Sequence, residues 1–500
     1  MRLEEFPAAQ RRGLIPEPKA GLAYRCLGCA RTFDIGRLLY TCPGCGSVLL
    51  LEDASPPWRG RKPSALRATL DRRRMLNLPS LSGIFRYHEF IAPAIPLDAV
   101  VYLGEGHTPQ VAANAQLARA ALGPFHFKND GQNPSASFKD RGMACALSYI
   151  NYLIRERGLK RVLSVCASTG DTSAAAALYS AYLSESVTSA VLLPRGKVTP
   201  QQLAQPLGAG AAVFELPGVF DDCMKVVERL AEVYDVALLN SKNAWRVLGQ
   251  ESYSYEIAQH FDWDMAGKAV VLPVGNAGNI TAVMSGFLKL HRAGLIDCLP
   301  KVVGVQSHHA DPVFRYYLAP EGKRVFRPVT VQPSVAQAAM IGNPVSMPRV
   351  VRRAADYDAL AGERRVFVVR VSEQEIMDWM LTANRAGHIA CTQGGESLAG
   401  LVAARKEGVI GGDELAVLDS TAHHLKFIGF QQMYFEDSFP AEFGVRAKKR
   451  LQNRPQAVIP KGMKRLPAPG KPLPEEEMAR FVDACAEEVA SRLGLKKRRG

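Results

Sequence analysis

The sequence predicts an α/β protein built on doubly wound parallel sheet, with a small four-cysteine ribbon at its N-terminus and a basic extension at its C-terminus. Three observations carry this prediction. Between about 100 and 440, short apolar runs recur, several closed by glycine turns and each followed by a helical pattern, which is the alternation that a parallel sheet with crossover helices needs. Two CxxC pairs stand close together near the N-terminus. A stretch rich in Pro, Lys and Gly at 451–473 then separates the sheet region from one last amphipathic segment.

The chain has 500 residues, enough for two or three domains with sizeable cores. Its hydrophobic fraction of 47% and charged fraction of 22% are ordinary for a soluble globular protein. The first residues, MRLEEFPAAQRRG, contain no apolar core of a secretory signal. No apolar run approaches the roughly 20 residues that cross a bilayer, so the cytoplasm is the expected location. Of the ten cysteines, four form the two pairs; Cys145, Cys166, Cys223, Cys298, Cys391 and Cys485 are scattered, and no disulfide framework is expected. The net charge of +14 fits an anionic substrate and cofactor as well as it fits nucleic acid. Much of the excess lies at Arg446, Lys448, Lys449 and Arg450 and at Lys496, Lys497, Arg498 and Arg499, where it reads as a solvated tail.

Taken in order, residues 24–50 alternate like short strands, with Phe33 and Leu49–Leu51 available to pack. Cys26 and Cys29 are followed after twelve residues by Cys42 and Cys45. Each CxxC turn points two sulfurs at one centre, and two such turns make the closed tetrahedral site that zinc prefers. A thiolate cage with no open position is structural, and a ribbon this small takes its folding energy from the metal. Residues 52–80, rich in Pro and Arg, read as a linker or embracing arm. RVLSVCA (161–167), VTSAVLLP (187–194), KAVVLPVG (268–275), KVVGVQ (301–306), RVFVVRV (365–371) and ELAVLDS (414–420) read as strands, with helices expected from Thr172 and from about Ile280. Residues 474–494 read as a helix, with Met478, Phe481, Val482, Cys485, Val489 and Leu493 on one stripe, acids in the first turn and a glycine at the end.

Ligands of such sheets bind beyond the carboxyl ends of the strands, and the unusual residues of this chain fall there. The most informative stretch is Lys128-Asn-Asp-Gly-Gln-Asn133-Pro134-Ser-Ala-Ser137-Phe138-Lys139-Asp140-Arg141-Gly142-Met143. Ser137 is the expected N-cap, which puts Lys139 in the first turn of a helix. A positive side chain there is opposed by the helix dipole, and the resulting depressed pKa suits a lysine that binds a cofactor as a Schiff base. On these residues alone, an ordinary surface lysine in a loop is the open alternative.

NPSASFKDRGM resembles the NPTGSFKDRGM signature of threonine synthases, members of the tryptophan-synthase-β-like (fold type II) pyridoxal-5′-phosphate (PLP) enzymes. The resemblance extends over roughly 24–435 and rests on separate motifs in order: LGEGHTP (103–109), STGDTSAAAALYSAY (168–182), NSKNAWRVLGQ (240–250), PVGNAGNITA (273–282), IGNPVS (341–346) and STAHHLKF (420–427). It implies two doubly wound parallel-sheet domains. The expected divisions are a zinc ribbon at 1–55, a linker or arm at 56–100, a large PLP-binding domain at 101–135 and 245–440, a small domain at 136–244, and a basic extension with a helix at 441–500. It implies that Lys139 holds PLP and then shuttles protons. Gly275, Asn276, Ala277, Gly278 and Asn279 would bind the cofactor phosphate, Thr421 the pyridine nitrogen, and Phe138 and Asp171 would complete the cofactor's surroundings. Ser137, Thr172, Asn240, Ser241 and Arg246 would bind substrate, the last three its phosphate. The implied reaction converts O-phospho-L-homoserine and water to L-threonine and phosphate, in a homodimer without nucleic acid or membrane partners.

Two places depart from the pattern. Asp171 stands where these enzymes usually carry an Asn beside the cofactor's 3′-oxygen; it either occupies that place or caps the helix from Thr172. Thr392-Gln393-Gly394-Gly395-Glu396 replaces a Glu-Pro-x-Ser-Ala-Ala stretch and is expected near the substrate end of the cofactor. Rival readings are therefore a cysteate-synthase-like enzyme using O-phosphoserine and sulfite, and threonine dehydratase, against which Arg246 counts. A nucleic-acid-binding ribbon protein is the rival of another class; it leaves the six motifs unexplained.

Overall fold

Runs such as Val270–Val274 and Val302–Val305 are too short for buried helices, and their β-branched residues suit a sheet covered on both faces. In the computed structural model they are central strands whose side chains are buried. The structure describes all residues except 20, 159–161, 168–169, 196–199, 219, 235, 460–462, 464–467, 469 and 499–500. Ser168 and Thr169 of the STGDTS motif therefore lie outside the described residues.

Three sheets are present among the described residues. Strands β1 (Leu22–Cys26), β2 (Thr32–Asp34) and β3 (Leu49–Asp53) form an antiparallel ribbon in the order β2-β1-β3. The remaining strands are β4 (Gln110–Ala112), β5 (Phe125–Lys128), β6 (Val162–Ala167), β7 (Val187–Pro194), β8 (Ala212–Leu216), β9 (Val236–Leu238), β10 (Lys268–Pro273), β11 (Lys301–Ser307), β12 (Val366–Val371) and β13 (Leu415–Asp419). One sheet runs β12-β11-β10-β13-β5-β4, parallel except at its edge strand β4; the other runs β8-β7-β6-β9 and is wholly parallel. The expected pair of parallel-sheet α/β bodies with a four-cysteine ribbon is what the chain forms. The sequence reading passed over β4, β5 and β8, and the helix from about Ile280 begins at Gly278.

The stretch 52–80 contains a helix, Pro63–Arg72, that buries Leu66, Thr69 and Leu70. Just beyond it, buried Arg73 pairs with Glu89 at 2.6 Å. The chain divides into two compact units, Met1–Ala447 and Lys448–Gly500. The second contains the helix Glu475–Leu493, closed by Gly494 in the left-handed conformation, as the acids, stripe and glycine predict. None of the ten cysteines is in a disulfide. No described helix is long and apolar enough to cross a membrane.

Candidate active site

The site forms beyond the carboxyl ends of β5, β10 and β13, neighbours in one sheet. After β5 the chain makes a short turn and enters the helix Lys139–Arg157. The expected Ser137 cap is not made. Phe138 is the N-cap residue, without a side-chain cap bond. Its N–H donates to Thr421 O at 2.8 Å, and Ser137 bridges Ala422. The strand-like pairing to the segment after β13 fixes the turn instead, and the Ser137 hydroxyl is left buried without a protein partner.

Lys139 is the first helical residue, and its Nζ sits 4.2 Å from the centroid of the Phe138 ring. Burial lowers its pKa to about 8, and the guanidinium of Arg246 pushes in the same direction. The turn around this lysine is tied down by buried charge pairs and a hydrogen bond. Arg141 is buried and paired with Asp130 (2.8 Å) and Glu256 (2.6 Å), and Lys128 also reaches Glu256 (2.7 Å), so four charges cancel inside the core. Asp140 accepts from Ser135 N at 2.6 Å.

Arg246 approaches Lys139 because two helices touch backbone to backbone. A Cβ on Gly142 would lie 2.8 Å from Arg246 O, and one on Gly249 only 2.2 Å from Arg141 O. Only glycine permits that crossing. Arg246 lies in the helix Ala244–Gln250 and is 3% exposed, so it is no surface residue. Its Nη1 donates to Leu239 O at 3.1 Å, its Nε has no partner, and no carboxylate pairs with it among the described residues. Burial alone lowers its pKa, to about 10. Asn240 is buried, and its Oδ1 accepts from Lys242 N at 3.0 Å. Ser241 is half-buried beside it.

Val274–Ala277 link β10 to the helix Gly278–Arg292. Ala277, its N-cap, is left-handed (φ 62°) and offers no side-chain cap, so the helix starts with free N–H groups for an anion. Asn276 O accepts from Ser346 N at 3.1 Å, which seats IGNPVS against this loop. Asn279 Nδ2 donates to Asp419 Oδ2 at 2.8 Å. Burial pushes the Asp419 carboxyl far above the usual range, and its second oxygen is unpartnered. Thr421 is buried, with Cys391 Sγ 3.8 Å from its Oγ1. Cys391 caps the helix Thr392–Lys406, accepting from Gly394 N, so the departing Thr392–Glu396 segment begins beside Thr421. Thr392 Oγ1, both polar atoms of Gln393 and both oxygens of Glu396 are buried without partners.

Asp171 opens the helix Asp171–Tyr182, whose N-cap is Gly170, so the capping alternative fails. The reason is a competing cation: Lys426 Nζ lies 2.8 Å from Asp171 Oδ1 and donates to Ser135 O at 3.0 Å. Thr172 follows, half-buried. Sequence reasoning missed Lys426, Cys391 and Glu105; the last accepts from Tyr179 OH at 2.7 Å, and burial raises its pKa to about 7. LGEGHTP and STAHHLKF contain Glu105 and Lys426, so position within the motifs was the available signal.

In the ribbon, the Sγ atoms of Cys26, Cys29, Cys42 and Cys45 all lie within 4.8 Å of one another. Cys26–Cys45 is 3.4 Å and Cys29–Cys42 3.6 Å, near the ~3.8 Å edge of a tetrahedron with about 2.3 Å metal–sulfur bonds.

The family model for pyridoxal-phosphate dependent enzymes matches residues 101–420. The chain is 35% identical over 404 residues to the threonine synthase of Methanocaldococcus jannaschii, covering 80% of this chain and 92% of that protein. It is 32% identical to that of Methanosarcina acetivorans, covering 80% and 91%. Among solved structures, threonine synthase from Escherichia coli superposes with a TM-score of 0.61 at 20% identity, over 81% of this chain and 89% of that one.

Proposed function

The chain belongs to the pyridoxal-phosphate dependent enzymes, and from that premise we propose that it is a threonine synthase, converting O-phospho-L-homoserine and water to L-threonine and phosphate. The observation that carries the reading is a buried guanidinium without a carboxylate partner, Arg246, close enough to Lys139 to lower its pKa. A buried cation left unpaired is costly, and a phosphate dianion supplies what it lacks.

The residues fit the cofactor. Lys139 is buried with a depressed pKa, the free N-terminus of the helix from Gly278 suits its phosphate, and the hydroxyls of Ser137 and Ser420 are buried without partners. Bound there, PLP supplies an electron sink that acidifies the carbon–hydrogen bonds of an attached amino acid. Gly275–Asn279 would hold its phosphate, Thr421 its pyridine nitrogen, and Phe138 and Asp171 its faces and 3′-oxygen. Lys426 then makes Asp171 tolerable in place of Asn, because the ammonium offsets the carboxylate.

Lys139 Nζ, neutral above about pH 8, takes a proton from the substrate's Cα and returns protons along the chain. Asn240, Ser241 and Arg246 grip the phosphate as the Cγ–O bond breaks; the leaving group gains charge, and a fixed guanidinium stabilises that gain. Ser137 and Thr172 would orient the remainder of the substrate. In this reading 136–244 is the small domain, 101–135 and 245–440 the large one, 56–100 an arm, and 441–500 a solvated extension. The enzyme works as a homodimer in the cytoplasm.

The ribbon binds zinc in the same proposal; protein purified without chelators should contain about one zinc per chain. The reaction is tested by incubating the PLP-loaded protein with O-phosphohomoserine or O-phosphoserine plus sulfite. Threonine and phosphate should appear only with the first. Cysteate from the second would defeat the assignment.

A further inference from the structure

The ribbon meets the body of the protein at several points, Arg353–Glu52 (3.4 Å) among them, and one group of these contacts gathers on a short stretch, 236–246, and on Tyr149 and Arg349 beside it. Trp245 Nε1 donates to Tyr24 OH in β1 at 2.9 Å. The Trp245 ring stacks on Tyr149, with centroids 4.0 Å apart. The Tyr149 hydroxyl in turn bonds the ribbon carbonyls of Ile35 (2.5 Å) and Arg37 (2.9 Å). At the other end of the stretch, Tyr40 OH donates to Val236 O at 3.4 Å. Between them stands Arg349, in the helix Met347–Ala361 and wholly buried. Its Nε and Nη2 donate to Leu49 O of β3 at 2.9 and 2.7 Å. Its Nη1 reaches Ser241 O (2.9 Å) and Ser346 Oγ (3.0 Å), and its Nη2 also reaches Lys242 O (2.8 Å).

Arg349 has no carboxylate partner among the described residues, and all its acceptors are neutral oxygens. A guanidinium buried this way is held by geometry: five donations in a planar fork fix three carbonyls from two parts of the chain at once. The held stretch needs such support. β9 has three residues and is the edge strand of its sheet, and Asn240–Lys242 are loop. Left to itself, an edge strand of one pair of neighbours and a free loop would sample many positions.

We propose that the four-cysteine ribbon is a clamp on the substrate-phosphate segment, with Arg349 and Tyr24 as positioning residues that hold Ser241 and the Arg246 helix in place for a phosphorylated substrate. This rests on the assignment of Asn240, Ser241 and Arg246 to the substrate's phosphate. The ribbon acts on substrate affinity more than on the cofactor's own cradle at Gly275–Asn279, which Arg349 meets through the Ser346 hydroxyl. The ribbon thereby has a role in the chemistry without contributing a reacting atom.

The test uses the PLP-loaded full chain and inorganic phosphate, the product, as probe. Arg349→Met and Tyr24→Phe are compared with Arg246→Ala by calorimetry with phosphate, by the visible absorbance of the bound cofactor, and by hydrogen exchange over 236–246. We expect the phosphate Kd to rise roughly tenfold in Arg349→Met and roughly threefold in Tyr24→Phe, since loosened positioning costs binding of this order. KM for O-phosphohomoserine should rise in step, with kcat and cofactor absorbance nearly unchanged and exchange over 236–246 faster. Arg349→Lys should recover little, lacking the fork. Unchanged phosphate affinity in both variants, beside a clear loss in Arg246→Ala, overturns the clamp alone. So does phosphate binding lost only in step with the cofactor. Normal phosphate binding in Arg246→Ala overturns the pocket assignment and the clamp with it. Should Arg349→Met fail to fold, Tyr24→Phe decides by the same criteria.

Discussion

The start of the helix at Gly278 and the segment around Arg246 offer an anion two opposite kinds of positive charge. The first is dipolar: free backbone N–H groups at the head of a fifteen-residue helix, with a left-handed Ala277 before them and Asn279 tied to Asp419, whose carboxyl burial pushes well above its usual range. The second carries a formal charge on a buried guanidinium whose Nε is unpartnered. On the proposed assignment the difference matches two tasks. A cofactor phosphate stays bound and changes little in charge, so dipoles fixed by the fold are enough. A leaving phosphate gains charge during reaction and must then depart, and a full cation answers to that change. Lys139 lies within the influence of both regions, with Arg246 and Asp419 acting on it from opposite sides of the charge balance.

The largest effect expected is at that shared point. Lys139→Ala should abolish the borohydride-reducible link to PLP, whereas peptide mapping of the reduced parent should place the label on Lys139 alone. A label elsewhere would break the arrangement altogether. Next in size is the charged cradle. Arg246→Ala should lower turnover of O-phosphohomoserine by roughly 10² or more, the effect of removing one electrostatic contact to a developing charge, and Arg246→Lys should restore little. Cofactor binding should be untouched; if both fell together, the two cradles would not be separate.

Asp171→Asn should act less strongly. Removing the carboxylate frees Lys426, so the variant should stay within a fewfold of parental activity while the visible absorbance of the bound cofactor shifts. An absorbance identical across the whole pH range would place Asp171 away from the 3′-oxygen. The smallest effect expected is on stability. Burial raises the pKa of Glu105 from its usual 4.5 to about 7. The folded chain thus holds that proton more tightly than the unfolded chain, and the stability it contributes at low pH is lost as pH rises through this window. Glu105→Gln keeps an acceptor for Tyr179 but removes the titration. Its Tm relative to the parent should climb by a few degrees, roughly, between pH 5 and pH 8; a constant difference would show that Glu105 titrates normally.

The sequence by itself determined what depends on local pattern. Val187–Pro194 was legible to the residue as a strand, because a run of apolar and β-branched residues bounded by turn residues specifies a buried strand locally. The helix at 475–493 was legible from its acids, its stripe and its closing glycine, and the four cysteines from their spacing alone. The strands Gln110–Ala112 and Ala212–Leu216 were not, since they are short, lie at sheet edges and carry no alternation strong enough to stand out. At the site, the motifs named Lys139, Arg246 and the Gly278 loop, but their environment was decided elsewhere. Ser137 looks like an N-cap in sequence, yet pairing with Ala422, nearly three hundred residues away by number, takes the turn over. Asp171 looks like a cap until Lys426 arrives from the end of the sheet. Arg349 gave no signal at all, because a buried arginine that binds only carbonyls has no sequence pattern. Its role exists only once β3 and the 240–242 loop lie on either side of it. Capping, pairing and burial of charge are competitions between groups far apart in the chain, and only the folded chain brings the competitors together.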